Sequence, residues 1–301
     1  LVKDGTVIAS AGRSSYLDGG IHVARLDPKS GKKISETTVY SRNRETGKQP
    51  DFEGRFEGIP GTKNDILSAN GDSVYLRHMK LDLSREQQAR SAGREVHLFS
   101  PAGFLDDHWW HRAYWLLGDH YKSHWSGWWR AGNQMPAGRI LAYNDSEVYG
   151  FGRDRYVPGN TGQWRGGENY QLFAYDRSSD AGDEDGNPGI RQLNYRWTRR
   201  VPLLVKALVV AGDTMFVAGP PDAIEGQGEK GDQRLQLRDS AAAVAAWKGK
   251  RGGVLCAVSC DDGEVLSRRK LSSMPAFDGM AAADGWLYIS CEGGALLCCG
   301  D

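Results

Sequence analysis

The chain has no net charge, no long apolar run and no catalytic signature, and its first 255 residues contain no cysteine. Lysine plus arginine balance aspartate plus glutamate at 38 each. No overall field therefore favours nucleic acid or an anionic membrane surface. The most apolar stretch, around Val201 to Ala211, is short and flanked by charge, so no segment reads as a membrane-spanning helix. G-x-S-x-G, H-E-x-x-H, a Gly-rich phosphate loop and the C-x-x-C-H haem attachment are all missing. The cysteines Cys256, Cys260, Cys291, Cys298 and Cys299 crowd into the last fifty residues, and their odd number leaves at least one thiol free or paired between chains. Cys256 and Cys260 share one face of a strand-like run but stand roughly 13 Å apart, too far to bridge. They read as small buried hydrophobes near a strand end. The chain opens LVKDGTVIAS, without Met or a charged leader, and is expected to be processed or a fragment.

Glycine, by contrast, is abundant at 39 residues, and Gly, Asp and Asn break the chain into strand-length pieces. A turn dipeptide followed by an alternating apolar strand recurs as KDGTVIASAG from Lys3, NGDSVYLRHM from Asn70, NDSEVYGFGR from Asn144, AGDTMFVAGP from Ala211 and ADGWLYISCE from Ala283. The anchors Val7, Val74, Val148, Met215 and Leu287 lie about 70 residues apart. A second apolar strand follows each: GIHVARLDPKSGKKI, REVHLFSPAG, NYQLFAYDRSSDAG, GGVLCAVSCDDGEVL and GGALLCCGD. Period-2 alternation makes these strands, and Asp-Gly or Asn-Gly supplies the positive φ of tight hairpins. Repeated strand-turn-strand units that bury their faces only against one another predict an all-β chain, a β-propeller of four-stranded antiparallel blades.

Specific elements carry a family likeness. LDPKSGKKI from Leu26 and VSCDDGEVL from Val258 resemble the "ALDxxTGKxxW" element of quinoprotein-like (PQQ-repeat) propellers. ADGWLYISCEGGALLCCGD resembles the closing hairpin of the same family. Ser35 and Ser267 stand where that element carries its docking tryptophan, so blade packing there needs another solution. The resemblance implies seven or eight blades, whereas four full units and a shortened fifth are legible, the first without its outer strand. The ring is therefore expected to be incomplete and closed by missing N-terminal blades, from upstream chain or another polypeptide, since open sheet edges are avoided. Cys298-Cys299 resembles the adjacent-cysteine pair of some PQQ dehydrogenases, but it ends a strand instead of lying in a cofactor loop.

The whole of 1–301 reads as this one propeller, with insertions at 41–64, 103–136, 156–167, 177–191 and 220–251 that are too long for blade turns. In the acidic loop of the fourth insertion, Asp180, Asp183, Glu184 and Asp185 lack EF-hand spacing, and a solvated loop outranks a calcium site. LRDSAAAVAAWKGK predicts a short helix capped near Asp239 or Ser240.

The second insertion contains DDHWWHRAYWLLGDHYKSHWSGWW, which holds six of the ten tryptophans and four of the seven histidines. Three readings compete. Tryptophans could wedge between blades in place of the missing docking residues. Trp109, Trp110, Arg112, Trp115, Trp125, Trp128, Trp129 and Arg130 could instead form a stacking platform for a ligand or protein partner. His108 with His111, and His120 with His124, have the helical spacing of metal ligands, but Gly118 interrupts a helix and no cysteine joins them. Packing ranks first, binding second and metal third.

The functional expectation is a non-catalytic scaffold or recognition module of a larger bacterial cell-envelope protein or complex, without a cofactor. Its partners would be another protein or upstream blades, not nucleic acid. The periplasmic or extracellular location is what the resemblance implies. The alternative it implies is a PQQ-dependent dehydrogenase with an axial quinone and Ca²⁺ held by carboxylate, amide and arginine groups.

Overall fold

Hairpin chemistry sets out the strands of the protein, seen here in a computed structural model that describes residues 1–49, 61–83, 89–91, 95–105, 113–118, 131–132, 135–153, 170–177, 193, 195–222 and 239–300. In the first sheet β1 (Val2–Lys3), β2 (Thr6–Ala11), β3 (Ile21–Leu26) and β4 (Lys33–Val39) follow one another antiparallel. Asp4 and Gly5 have φ of +48° and +66°. Two successive positive values are what a two-residue type I′ turn needs, so DG turns and TVIASA extends. Alternation then decides the faces: Thr6 and Ile8 are buried, with less buried neighbours between and after them. The DPKSG turn between β3 and β4 is closed by Asp27, whose Oδ1 accepts from the Ser30 amide at 2.7 Å.

The chain divides into two compact units, Leu1–Ala131 and Gly132–Asp301. In the first, β5 (Leu67–Asn70), β6 (Ser73–Leu76), β7 (Met79–Leu81) and β8 (Ala89–Ser91) form the second sheet. Ile8, Ile21, Val23 and Val39 of the first sheet make one apolar core with Val74, Leu76 and Leu81 of the second. Beside it the Ser35 and Thr37 hydroxyls donate to the backbone carbonyls of Leu83 and Asp82, at 3.5 and 3.2 Å.

The second sheet differs from the sequence expectation. Arg77 takes φ +53° and turns the chain straight back after β6. MKL of β7 therefore pairs with β6, and REVHLFSPAG opens a further sheet instead. There β9 (His97–Phe99) pairs with β10 (Trp115–Gly118), Phe99 opposite Leu116. All four residues of β10 are buried, and the Trp115 ring lies 4.7 Å from that of Phe104. His97 is fully buried, stacked on Tyr75 at 4.4 Å, with Nδ1 facing the Glu95 carbonyl and Nε2 the Arg77 carbonyl.

In the second unit β11 (Ala137–Gly138) leads into β12 (Ile140–Tyr143), β13 (Glu147–Arg153), β14 (Tyr170–Asp176) and β15 (Tyr195–Arg199). The fifth sheet is β16 (Ala207–Ala211), β17 (Thr214–Gly219), β18 (Gly253–Ser259) and β19 (Val265–Leu271). Helix α1 (Ser240–Trp247) lies between β17 and β18, and Asp239 caps it by accepting from the Ala242 amide at 3.0 Å. The sixth sheet is β20 (Pro275–Ala283), β21 (Trp286–Cys291) and β22 (Leu296–Cys299). Phe151, Leu172, Val217 and Cys256 belong to the core shared by the fourth and fifth sheets, and Ala218, Leu255, Leu287 and Ile289 to that shared by the fifth and sixth.

Successive antiparallel sheets in up-and-down order, with one short helix among the described residues, are propeller blades. The all-β fold class read from the sequence holds. Among the described residues no helix is long and apolar enough to cross a membrane.

Two stability measurements follow from the first unit. Trp115→Ala should lower the unfolding free energy in urea by about 3–5 kcal/mol, the range for a truncated buried aromatic. His78, in the turn after β6, has its pKa pushed down from 6.5 to about 4, chiefly by burial and then by the charges of Arg77 and His97. The unfolded chain binds that proton first, so stability is lost as pH falls from 6.5 towards about 4 and levels off below. Urea melts between pH 7 and 4 should show this slope, and His78→Gln should flatten it.

Candidate functional site

One position on the outer strand recurs at the same place in three of the sheets. In the fourth sheet Ala142, Tyr149, Ala174 and Trp197 stand side by side across the four strands, and the register shifts just after Ala174. In the fifth sheet the corresponding row is Val209, Phe216, Ala257 and Ser267, with the shift just after Ala257. In the first sheet Ile8, Arg25 and Ser35 form that row, with the shift after Arg25. Trp197, Ser267 and Ser35 are thus structural equivalents, each opposite the residue before a bulge.

Trp197 closes the space between the fourth and fifth sheets. It is 7% exposed, and its Nε1–H donates to the Cys260 carbonyl at 2.8 Å. Its ring lies against Gly263, where an added Cβ would come within 2.7 Å of the indole. Gly263 also sits at φ +76°, so glycine is needed there twice over. Arg196 ties the same junction from the rim: its guanidinium pairs with Glu147 at 2.9 Å and donates to the Cys260 carbonyl at 2.8 Å. Burial pushes the pKa of the Cys256, Cys260 and Cys291 thiols up, so they remain protonated and unreactive at neutral pH.

At the next junction Ser267 stands at the place of that ring. A groove of about 430 Å³ runs between the fifth and sixth sheets. Phe216, Leu255 and Ala257 form one wall, Trp286, Leu287 and Cys299 the other, and Ser267 and Arg269 lie along its margin. Trp286 is 46% exposed and rests on Gly300, where a Cβ would meet its ring at 2.7 Å. Large apolar side chains are also exposed on these two sheets: Val265, Leu266 and Leu296. Arg269 and Asp284 both line the groove, and neither makes an ion pair among the described residues. The groove can receive an apolar, ring-sized group with a charged neighbour.

The sequence-based candidates lie elsewhere. Trp115 is buried in β10 of the first unit. Trp109, Trp110, Arg112, Trp125, Trp128, Trp129, Arg130 and the histidines His108, His111, His120 and His124 lie outside the described residues, as do Asp180, Asp183, Glu184 and Asp185. Among the described residues no three His, Cys, Asp or Glu side chains converge as metal ligands. Trp197 and the groove are not among the sequence candidates. The 177–191 insertion separates Trp197 from the strand it pairs with and hides its register, while Ser267 shows in the sequence only as a missing tryptophan.

No family model matches the chain, and no curated protein is significantly similar to it. Among solved structures, BamB from Moraxella catarrhalis superposes on 99% of this chain and 67% of its own, at 13% identity and a TM-score of 0.40. A superposition that loose places no residue and no role in this chain.

The contrast between the two junctions is measurable. Trp197→Ala should cost about 3–5 kcal/mol in urea unfolding. Ser267→Ala, at an exposed position that bonds nothing in the groove, should stay within about 0.5 kcal/mol of the parent. Equal losses at both positions would contradict the assignment of the clamp to Trp197 alone.

Proposed function

We propose that this chain is a non-catalytic recognition module, a propeller-type scaffold that holds a protein partner within a larger assembly of the bacterial cell envelope. The observation that carries this reading is the apolar groove beside Ser267, with the exposed Trp286 in its lining. Apolar surface left accessible at a concave site is what protein interfaces use to seat anchor residues. The family likeness of the DPKSG and CDDGE elements supports the envelope location.

Among the described residues, those at the inner strand ends fit a quinone–calcium centre poorly. Ca²⁺ takes six to eight oxygen ligands, mostly carboxylates and carbonyls. Arg139 and Lys206 stand just before the first strands of the fourth and fifth sheets, and the carboxylate Asp278 lies within the first strand of the sixth. Arg139 lies over the Phe277 ring at 4.5 Å, and burial pulls its pKa down to about 10. Lys206 is paired with Glu292, which occupies the next carboxylate available there. In this reading the chain carries no cofactor and its charges at that end serve packing.

The test is direct. Purified protein supplied with PQQ and Ca²⁺ should show no alcohol- or sugar-dependent dye reduction above a blank without protein. Sustained turnover that scales with protein concentration would overturn the scaffold reading in favour of a PQQ-dependent dehydrogenase.

A further inference from the structure

The fifth sheet is oppositely charged at its two ends, although the chain as a whole is neutral. The turns after β16 and β18 carry Asp213, Asp261, Asp262 and Glu264. At the other end α1 runs into the turn that begins β18, and the cations Lys248, Lys250 and Arg251 stand on that turn. The turn is tightly held. Gly249 takes φ +73°, its amide and that of Lys250 donate to the Ala246 and Ala245 carbonyls at 3.0 and 2.9 Å, and the Gly252 amide donates to the Gly249 carbonyl at 3.0 Å. It also lies directly on the chain that leaves β19, since a Cβ at Gly252 would clash with the Leu271 carbonyl. Lys270, the residue before Leu271, is thereby brought to the same corner. All four cations are exposed, and none makes an ion pair among the described residues. Beside them Val244 and Trp247 are 51% and 46% exposed. Lys206 lies over the Trp247 ring, 5.9 Å from its centre, and is itself paired with Glu292, so the indole is held in place and that carboxylate is already taken. A helix dipole favours cations only around its last turn. It accounts for Lys248 and Lys250 and leaves Arg251, Lys270 and the exposed indole unexplained.

We propose that this corner, where α1 and β19 end, is a docking surface for an acidic segment of a protein partner. This rests on the recognition reading and names the chemistry of a partner at a surface apart from the groove. Charge complementarity selects the occupant. Four like charges repel one another across the corner, and carboxylates laid between them relieve that repulsion while gaining partners. Each exposed pair contributes little, so the attraction comes from the group. Trp247 supplies the apolar contact, and a ring already held by Lys206 loses little freedom when a partner covers it. The acidic turns at the far end of the sheet repel the same segment, so the separation of charge also sets which end it approaches. An anionic lipid surface fits less well, because an eight-residue helix with two exposed apolar side chains offers little to insert.

The probes are a dye-labelled peptide of alternating acidic pairs and single leucines, its counterpart with lysine at every acidic position, and phosphatidylglycerol vesicles. Each is mixed with the full 301-residue chain at low salt, where surface charges are least screened. The acidic peptide should bind with a Kd below about 1 mM, a weak but measurable affinity. The lysine peptide should not bind. Lys248→Gln combined with Lys250→Gln should weaken the acidic peptide about tenfold. Lys29→Gln combined with Lys32→Gln removes the same charge from the exposed turn between β3 and β4, and should leave the affinity within about twofold. Trp247→Ser should weaken it about threefold. The four lysines are exposed, so both double variants should keep the parent melting temperature. No binding of the acidic peptide at millimolar concentration overturns the proposal, and so does equal weakening by the two double variants. Binding to the vesicles without binding to the peptide also overturns it and assigns the corner to a lipid surface. None of these results bears on whether the protein reduces dye with PQQ, so failure here is distinguishable from failure of the scaffold reading.

Discussion

The interaction on which the second unit depends is an indole held between two sheets. Trp197 projects from the outer strand of the fourth sheet, bonds the Cys260 carbonyl through its Nε1–H and lies on Gly263. A ring in that position buries a large apolar area and satisfies its single polar atom, so it joins two sheets without leaving an unpaired donor. Everything around it is arranged to keep it there. Gly263 supplies both the left-handed backbone and the missing Cβ, and Arg196 bridges Glu147 to the same turn.

Where that ring is absent, the chain uses two other solutions. In the first unit Ser35 occupies the equivalent place, and it and Thr37 donate their hydroxyls to the Leu83 and Asp82 carbonyls. The junction is closed by short polar bonds over an aliphatic core of Ile8, Val23, Val74 and Leu76. In the second unit Ser267 reaches no such carbonyl and the junction stays open. The position is occupied by Trp, Ser and Ser, beside a clamp, a hydrogen-bonded seam and a groove respectively. The apolar core beneath the groove, from Ala218 to Ile289, holds the fifth and sixth sheets together without it.

Much of this architecture is legible in the sequence, because the signals are local. Asp4-Gly5 and Asp284-Gly285 take positive φ as their identity predicts, and Asp239 caps the alanine-rich helix. Non-local features are harder. The return of β7 onto β6 depends on Arg77 adopting a left-handed conformation, which few would expect of arginine, and it displaces REVHLF into a sheet with Trp115–Gly118. β10 is short and buried on both faces, so it shows no alternation to read. The groove is a property of two strands and a turn far apart in the chain. In the sequence, Ser267 is only a departure from a family element, and nothing local says whether the space closes or stays open.

The account turns on the claim that the Trp197 ring fills the junction between the fourth and fifth sheets, while the apolar core below it sets their separation. A crystal structure of the Trp197→Ser variant tests it most directly. The account predicts that the fourth and fifth sheets keep their separation, because Phe151, Leu172, Val217 and Cys256 remain packed below, and that a groove opens between Tyr149 and Gly263 like the one beside Ser267. Collapse of the two sheets onto each other, with the space closed by movement of the backbone, would contradict it.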